Sequence, residues 1–261
     1  MIFGLQHRVK VSCGIALLIV ISSFAYSQRS RITMPNIVQR LTNPDYADGK
    51  KRSAFAAANV NQRLTKELSK KGLQLGSPVF IRIFKESKEL EFWIQKEQAF
   101  ELFKTYNIAA MSGTLGPKLA EGDSQAPEGF YAVSQRLMNP QSRYHLAFNI
   151  GYPNTYDKAH QRTGSAIMVH GNQVSIGCFA MTDFFIEEIY TLCDAALKKG
   201  QPFFRVHSFP FRLTEGNLAT HSEHASVNFW RELQPGYAHF EQSHRPPNVR
   251  MEQAEYSFEA E

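Results

Sequence analysis

Cysteine is scarce in this chain, which has three cysteines among 261 residues. Cys13 falls inside a predicted N-terminal leader, so only Cys178 and Cys193 remain in the predicted mature protein. Secreted proteins that depend on disulfides for their stability carry more cysteines than this. Cys193 lies within a predicted helix and is predicted to be a small buried apolar residue. A Cys178–Cys193 disulfide is therefore the weaker alternative to two free thiols. Cys178 is therefore a candidate nucleophile.

The chain also lacks the marks of several binding classes. Its formal charge of +5 is mild, and no Lys/Arg cluster carries interleaved aromatic residues, so nucleic acid is not expected as a partner. No glycine-rich loop of the Walker or dinucleotide-binding type is present, and no cofactor is predicted. His221, His224, His239 and His244 have neither a cysteine partner nor an i, i+4 pair, so no metal site is predicted.

Long hydrophobic runs are absent except near the N-terminus. His7, Arg8 and Lys10 precede an apolar run from Val11 to Phe24, and Ala25-Tyr26-Ser27 supplies small residues for a cleavage site. The run is shorter than the roughly 20 residues of a membrane span. We predict a secretory signal peptide at 1–27 and export to the periplasm, with membrane attachment only if the leader stays uncleaved.

The remaining chain contains patterns of both strands and helices. Apolar positions predict a helix from about Phe55 to Lys71 and another from about Asp183 to Lys199. Strands are predicted at 79–84, 89–94, 130–133, 145–150, 166–169 and 203–207. These strands do not alternate regularly with the helices, which favours a mostly-β core with peripheral helices over a doubly wound sheet. The predicted parts are a helical lead-in (28–76), a central domain (77–214) and a partly disordered C-terminal extension (215–261).

His170 ends a predicted buried strand, and a short loop of Gly and small polar residues joins it to Cys178. A thiol becomes a strong nucleophile when a nearby base takes its proton, and His is the usual base. Gly177 permits a tight turn that presents a backbone N–H beside the sulfur, as an oxyanion requires. A helix N-terminus after Cys178 is expected to lower the thiol pKa. The plainer alternatives are a core histidine and a buried apolar cysteine. Ser175 either hydrogen-bonds within the loop or simply forms a turn.

Three segments, in this order along the chain, resemble those of the L,D-transpeptidase catalytic domain, also called the YkuD-like fold. They are Gly116-Pro117-Lys118 through Gly129-Phe130-Tyr131, then Ile167-Met168-Val169-His170-Gly171, then Ser175-Ile176-Gly177-Cys178. The run Cys178 to Asp183 is similar to the YafK-type branch of that family. The resemblance covers about Pro78 to Leu213 and implies a β-sandwich or barrel-like core.

The resemblance also implies roles for individual residues. Cys178 matches the nucleophile that forms a thioester with a peptidoglycan stem peptide, next to meso-diaminopimelate, and His170 matches the general base and acid. Gly177 matches an oxyanion donor, and Ser175 matches a residue that supports the loop. Tyr131 and Gly171 belong to the matching segments and are expected to bind substrate.

Two positions depart from the family pattern. Ile176 stands where many members have His, and Ala180 stands where many have Arg. Recognition of a substrate carboxylate is therefore open, and so is the acyl acceptor. The leading hypothesis is transfer to an amine, in wall cross-linking or lipoprotein attachment. The first alternative is hydrolysis that releases a wall-linked outer-membrane lipoprotein, and the second is an inactive wall-binding module. A papain-type peptidase would have its Cys before its His, which is the reverse of the order here.

Overall fold

The structure is a computed structural model that describes residues 44–259. The predicted signal peptide and the first part of the predicted lead-in lie outside the described residues. The helices, numbered in chain order, are Gly49–Lys70 (α1), Thr155–Ala159 (α2), Thr182–Lys198 (α3), Glu215–Thr220 (α4) and Val227–Ser243 (α5). The strands are Val79–Phe84 (β1), Glu89–Lys96 (β2), Ala99–Asn107 (β3), Gly129–Ser134 (β4), Met138–Asn139 (β5), Ala147–Asn149 (β6), Met168–His170 (β7), Phe179–Ala180 (β8), Phe203–Phe209 (β9), Asn248–Glu252 (β10) and Glu255–Glu259 (β11).

Two sheets build the core. A five-stranded sheet has the order β3-β2-β1-β9-β4, and a four-stranded sheet has the order β5-β6-β7-β8. β1 and β2, the strands predicted at 79–84 and 89–94, form an antiparallel hairpin, whereas β1 pairs with β9 in parallel. The prediction of a mostly-β core with peripheral helices is confirmed. None of the helices within 44–259 combines the length and apolar character needed to cross a bilayer.

β1 is buried along its whole length because both faces of the larger sheet are covered. Ile81 and Ile83 point to one face and join the main core, which includes apolar residues of α1 and α3. Phe80 and Phe84 point to the other face, where they pack with residues of α5. A continuous apolar run is the pattern expected of a strand with two covered faces.

α1 begins earlier than the sequence predicts, at Gly49. Asp48 caps it, because its side chain accepts hydrogen bonds from the N–H groups of Lys50 and Lys51. Val60, Leu64 and Leu68, spaced four apart, form the buried face of the helix against the main core.

The C-terminal segment is well structured, in contrast to the partly disordered extension that the sequence predicted. Trp230, Leu233 and Tyr237 of α5 are buried in a cluster with Phe84 and Phe209 of the larger sheet. α5 contains Pro235 in its interior and continues to Ser243. Proline cannot donate a backbone hydrogen bond, which costs free energy in a helix. The burial of apolar residues beyond the proline, such as Tyr237, offsets this cost.

Candidate active site

The parallel pairing of β7 with β8 brings the predicted catalytic residues together. Val169 pairs with Phe179, and His170 pairs with Ala180. Cys178 therefore lies beside Met168, and the backbone N–H of Met168 points to its Sγ at an N···S distance of 3.4 Å. Because side chains alternate along a strand, Met168 and His170 project from the same face of β7. Cys178 directly precedes β8, so the register places its thiol beside β7, on the side of the smaller sheet to which the imidazole of His170 projects.

His170 is only 2% exposed, and one of its ring nitrogens has a defined partner. Nδ1 lies 2.5 Å from the carbonyl oxygen of Gly171. A carbonyl oxygen can only accept, so Nδ1 carries the proton and the neutral ring keeps its lone pair on Nε2. Burial lowers the pKa of His170, while the Gly171 carbonyl and the charge of Asp183 act in the opposite direction. The ring is therefore held as a neutral base.

Tyr144 covers one face of the histidine ring. The two rings are stacked, with centroids 4.7 Å apart and planes inclined by 30°. Tyr144 is itself substantially exposed, so it lies between His170 and solvent. Sequence reasoning missed this residue, and its local sequence carried no signal that it meets His170.

Cys178 is partly buried, and burial raises the pKa of its thiol. The N–H of Met168 and the charge of Lys118 oppose this shift without reversing it. The expectation that a helix N-terminus lowers this pKa is not met, because Phe179 and Ala180 form β8 between Cys178 and α3. The thiol therefore stays protonated at neutral pH and needs a base to become a thiolate.

The turn before Cys178 is held by two hydroxyl groups. Gly177 has a φ of +85°, a conformation that favours glycine, as the sequence suggested. Its N–H donates to Oγ of Ser112, 2.5 Å away, and Ser112 was not among the predicted site residues. Ser175 Oγ donates to the carbonyl of Cys178 at 2.6 Å, which favours a loop hydrogen bond over a simple turn. The role of Gly177 as an oxyanion donor stays a prediction.

Gly171 is confined by its neighbours. A Cβ at this position would lie 2.5 Å from Oδ1 of Asp183 and 2.7 Å from the carbonyl of Tyr144. The same Asp183 oxygen accepts the N–H of Asn172 at 2.7 Å. Glycine at 171 therefore lets α3 approach the loop that carries the His170 partner carbonyl.

Tyr131 lies in β4 of the larger sheet and is buried. Its hydroxyl is 3.1 Å from the carbonyl of Glu128 and 3.2 Å from Oδ2 of Asp157. Neither hydrogen bond reaches the His170–Cys178 pair. The structure thus gathers His170, Gly171, Ser175, Gly177 and Cys178 but not Tyr131, and the substrate-binding roles of Gly171 and Tyr131 stay predictions.

The long loop between β3 and β4 is anchored to the core by a buried ion pair. Lys85 Nζ is 3.0 Å from Oε1 of Glu128, and both side chains are almost fully buried. The other carboxylate oxygen of Glu128 accepts the indole N–H of Trp230 at 2.7 Å. Lys85 also donates to the carbonyl of Gly116 within the loop. These contacts fix the loop that carries Ser112 and join it to α5.

The site contains no metal-binding arrangement among the residues the structure describes, where no three His, Cys, Asp or Glu side chains are grouped for a metal ion. The chemistry that the residues of the site support is that of a thiol with a neutral imidazole on the neighbouring strand. Such a pair suits attack on a carbonyl carbon through a covalent intermediate.

Two comparisons with known proteins agree on one family. Residues 78–206 match YkuD, described as the L,D-transpeptidase catalytic domain. Over 205 residues the chain is 42% identical to an Escherichia coli (strain K12) protein named "Putative L,D-transpeptidase YafK", covering 78% of this chain and 83% of that protein.

Two solved structures show a weaker likeness. The helical cell shape determining protein Pgp2 of Campylobacter jejuni aligns with a TM-score of 0.43 and 17% identity, covering 71% of this chain and 79% of that chain. Bd1075 of Bdellovibrio bacteriovorus aligns with a TM-score of 0.35 and 24% identity, covering 52% of this chain and 48% of that chain.

Proposed function

This chain belongs to the L,D-transpeptidase family, and we propose that it is an exported cysteine acyltransferase that acts on peptidoglycan stem peptides through a thioester at Cys178. The observation that carries the proposal is the parallel pairing of β7 with β8, which places Cys178, the residue directly before β8, next to the strand that ends in His170. His170 also has the tautomer that a general base requires, because its Nδ1–H donates to the carbonyl of Gly171 and its Nε2 keeps the free lone pair.

In the first half of the proposed reaction, Nε2 of His170 takes the proton of the Cys178 thiol. The sulfur attacks a peptide carbonyl next to meso-diaminopimelate, and a carbon–sulfur bond forms. The backbone N–H of Cys178 stabilises the oxyanion, joined by that of Gly177 when the Ser112 hydroxyl releases it. The carbon–nitrogen bond then breaks, and the leaving amine takes the proton from His170. A thioester remains on Cys178.

In the second half, an amine from another stem peptide or from a lipoprotein attacks the thioester. His170 takes the proton of the amine as the new amide bond forms, and then returns a proton to the leaving sulfur. Cys178 is thereby restored as a thiol. Water in place of the amine would give a free carboxylate and the hydrolase alternative.

The hydrolase alternative has one specific observation in its favour. Ala180, where many relatives carry Arg, is fully buried in β8 and bridges to Ala110. That position therefore supplies no cation to hold a substrate carboxylate. A weaker hold on the acceptor stem would favour water as the acceptor, and with it the release of a wall-linked lipoprotein.

The test is product analysis with purified protein and disaccharide-tetrapeptide fragments of peptidoglycan. Transfer predicts amide-linked dimers that contain two diaminopimelate residues, whereas hydrolysis predicts shortened fragments without new dimers. Cys178→Ala should abolish either product. Cys193→Ala is the matched control, because Cys193 is fully buried in α3 and has no proposed role in the reaction. Persistent wall binding without any product would contradict the proposal and favour an inactive binding module.

Periplasmic localisation is proposed from the leader at 1–27 alone. The mass of the mature protein recovered from a periplasmic extract tests this assignment. Cleavage after Ser27 is expected, and recovery of the full-length chain from the cytoplasm would contradict it.

A further inference from the structure

A cleft of about 1000 Å³ lies away from the residues of the His170–Cys178 pair. One wall is the face of β4 and β9 that carries Phe130, Arg205 and His207. The second wall is the segment 151–158, which includes α2, and the third is the hairpin β10–β11. Neither His170, Cys178 nor the loop between them lines this cleft.

The lining of the cleft has an excess of positive charge. Lys158, Arg205 and Arg250 contribute cations, and Glu259 is the one acidic residue among the lining residues that the structure describes. Glu259 is 2.9 Å from Arg250, and Arg205 donates to Oδ1 of Asn248 at 2.6 Å. Arg205 is thereby oriented against the hairpin, and Lys158 is exposed on α2. Charge complementarity therefore indicates an anionic ligand.

His207 is a buried histidine in the wall of the cleft. It lines the cleft, is only 1% exposed, and its Nδ1 has no hydrogen-bond partner among the described residues. Phe80 and Phe130 pack edge-to-face against its ring, with centroids 4.6 and 4.7 Å away. Buried polar atoms nearly always have a partner, so the unpaired Nδ1 makes His207 an unusual residue in the wall of the cleft.

The walls of the cleft are held in place by one carboxylate. Glu232 of α5 accepts the Tyr156 hydroxyl through Oε2 and the Tyr256 N–H through Oε1, both at 2.8 Å. The rings of Tyr156 and Tyr256 are stacked with centroids 4.0 Å apart, so α2 and the hairpin meet across an aromatic pair. A fixed, partly aromatic cleft with a few polar groups is typical of a ligand site that is formed before binding.

We propose that this cleft binds a carboxylate-bearing segment of peptidoglycan other than the one that reacts at Cys178. The proposal rests on the proposed function, which brings acidic stem peptides to this protein. The cations match the carboxylates of a stem peptide, and the aromatic side chains match the apolar faces of its sugars and alkyl groups. Binding there would hold the polymer while a neighbouring stem reaches Cys178.

The test uses the full-length mature chain with Cys178→Ala, so that the ligand is not consumed. A dye-labelled disaccharide-tetrapeptide is titrated by fluorescence anisotropy. The double variant Lys158→Glu with Arg250→Glu should raise the dissociation constant at least about 10-fold. Lys66→Glu with Lys70→Glu is the matched control, because it makes the same change in net charge on exposed positions of α1. That control should bind as the Cys178→Ala chain does.

Two further arms identify the chemistry recognised. The same fragment with its carboxylates amidated should bind at least about 10-fold more weakly, and added salt should weaken binding of the unmodified fragment. Inorganic phosphate in millimolar excess should not displace the labelled fragment. Equal binding by the charge-reversed chain, equal binding of the amidated fragment, or displacement by phosphate would each overturn the proposal.

Thioester formation on Cys178 of the native chain is measured in a separate assay. No thioester there would contradict the proposed function and leave the binding result to stand alone. Equal fragment binding by the charge-reversed chain and its control would instead contradict the cleft alone.

Discussion

Tyr144 stacks on His170, with ring centroids 4.7 Å apart and planes inclined by 30°. The next residue, His145, adopts a positive φ of +68° and is held by two side chains. Its Nε2 is 2.9 Å from Oε1 of Glu187, and its Nδ1 is 2.5 Å from the Tyr46 hydroxyl. Tyr144 is thus carried on an anchored turn, and it restrains one face of the imidazole while the Gly171 carbonyl restrains Nδ1.

Replacement of Tyr144 should therefore slow acylation of Cys178. An aromatic stacking contact contributes about 0.5–1.5 kcal/mol, so Tyr144→Ala should lower the acylation rate roughly 2- to 10-fold. Loss of the ring also admits water to His170, so its pKa should rise toward the usual value. The measurement is the rate of thioester formation as a function of pH.

Tyr144→Phe is the matched control, because it keeps the ring and removes only the hydroxyl. It should react as the native chain does, with an unchanged pH profile. A Tyr144→Ala chain with native rate and native pH profile would show that the stacked ring does not position His170.

The pH dependence of acylation should follow the two buried groups of the site. Burial lowers the pKa of His170 from 6.5 and raises that of Cys178 from 9.0. The rate should rise with pH as the imidazolium loses its proton, with a midpoint below 6.5. It should then stay level through pH 7–8, because the thiol remains protonated and His170 acts as its base.

His170→Ala should lose at least about 100-fold of the rate at pH 7, as loss of a general base usually causes. Its remaining rate should rise continuously toward high pH, because only the spontaneously formed thiolate then reacts. A native profile with its midpoint near 9, or a His170→Ala chain of native rate, would remove His170 from the mechanism.

The buried pair of Lys85 and Glu128 should dominate the stability of the long loop. Lys85→Met leaves the Glu128 carboxylate buried without its cation, and such a loss costs about 3–5 kcal/mol in the free energy of unfolding. Burial lowers the pKa of Lys85 while the Glu128 charge opposes that shift, as expected of a desolvated pair. Urea unfolding at neutral pH measures the effect.

An exposed pair provides the control for that substitution. Lys198 and Asp194 form an i, i+4 pair at 2.5 Å with the lysine largely in solvent, so Lys198→Met should cost about 0.5 kcal/mol or less. Adding Glu128→Gln to Lys85→Met should recover part of the lost stability, because no buried charge remains. Equal costs for Lys85→Met and Lys198→Met would contradict the role of the buried pair.

Local patterns in the sequence predicted much of the fold and the two central residues of the site. The β1–β2 hairpin and α3 follow from apolar periodicity, which is a short-range property. His170 and Cys178 were identifiable because a short loop joins them and the family motifs include both. The structure adds that β7 and β8 are paired in parallel, which the sequence did not predict.

Contacts between distant parts of the chain were not predictable in this way. Ser112 meets Gly177 from the long loop, and Tyr144 reaches His170 from the turn before β6. No periodic pattern marks either residue. The regular structure of the C-terminal segment was missed for the same reason, because Trp230 and Tyr237 are stabilised by burial against Phe84 and Phe209 of the larger sheet.

The central claim is that Cys178 is the nucleophile that carries the acyl group. Intact-protein mass spectrometry after incubation with a carbapenem tests it most directly, because a β-lactam carbonyl forms a stable thioester with a reactive cysteine. The native chain and Cys193→Ala should each gain the mass of one carbapenem, and peptide mapping should place it on Cys178. Cys178→Ala should gain none. An unmodified native chain, or an adduct that persists in Cys178→Ala, would contradict the account.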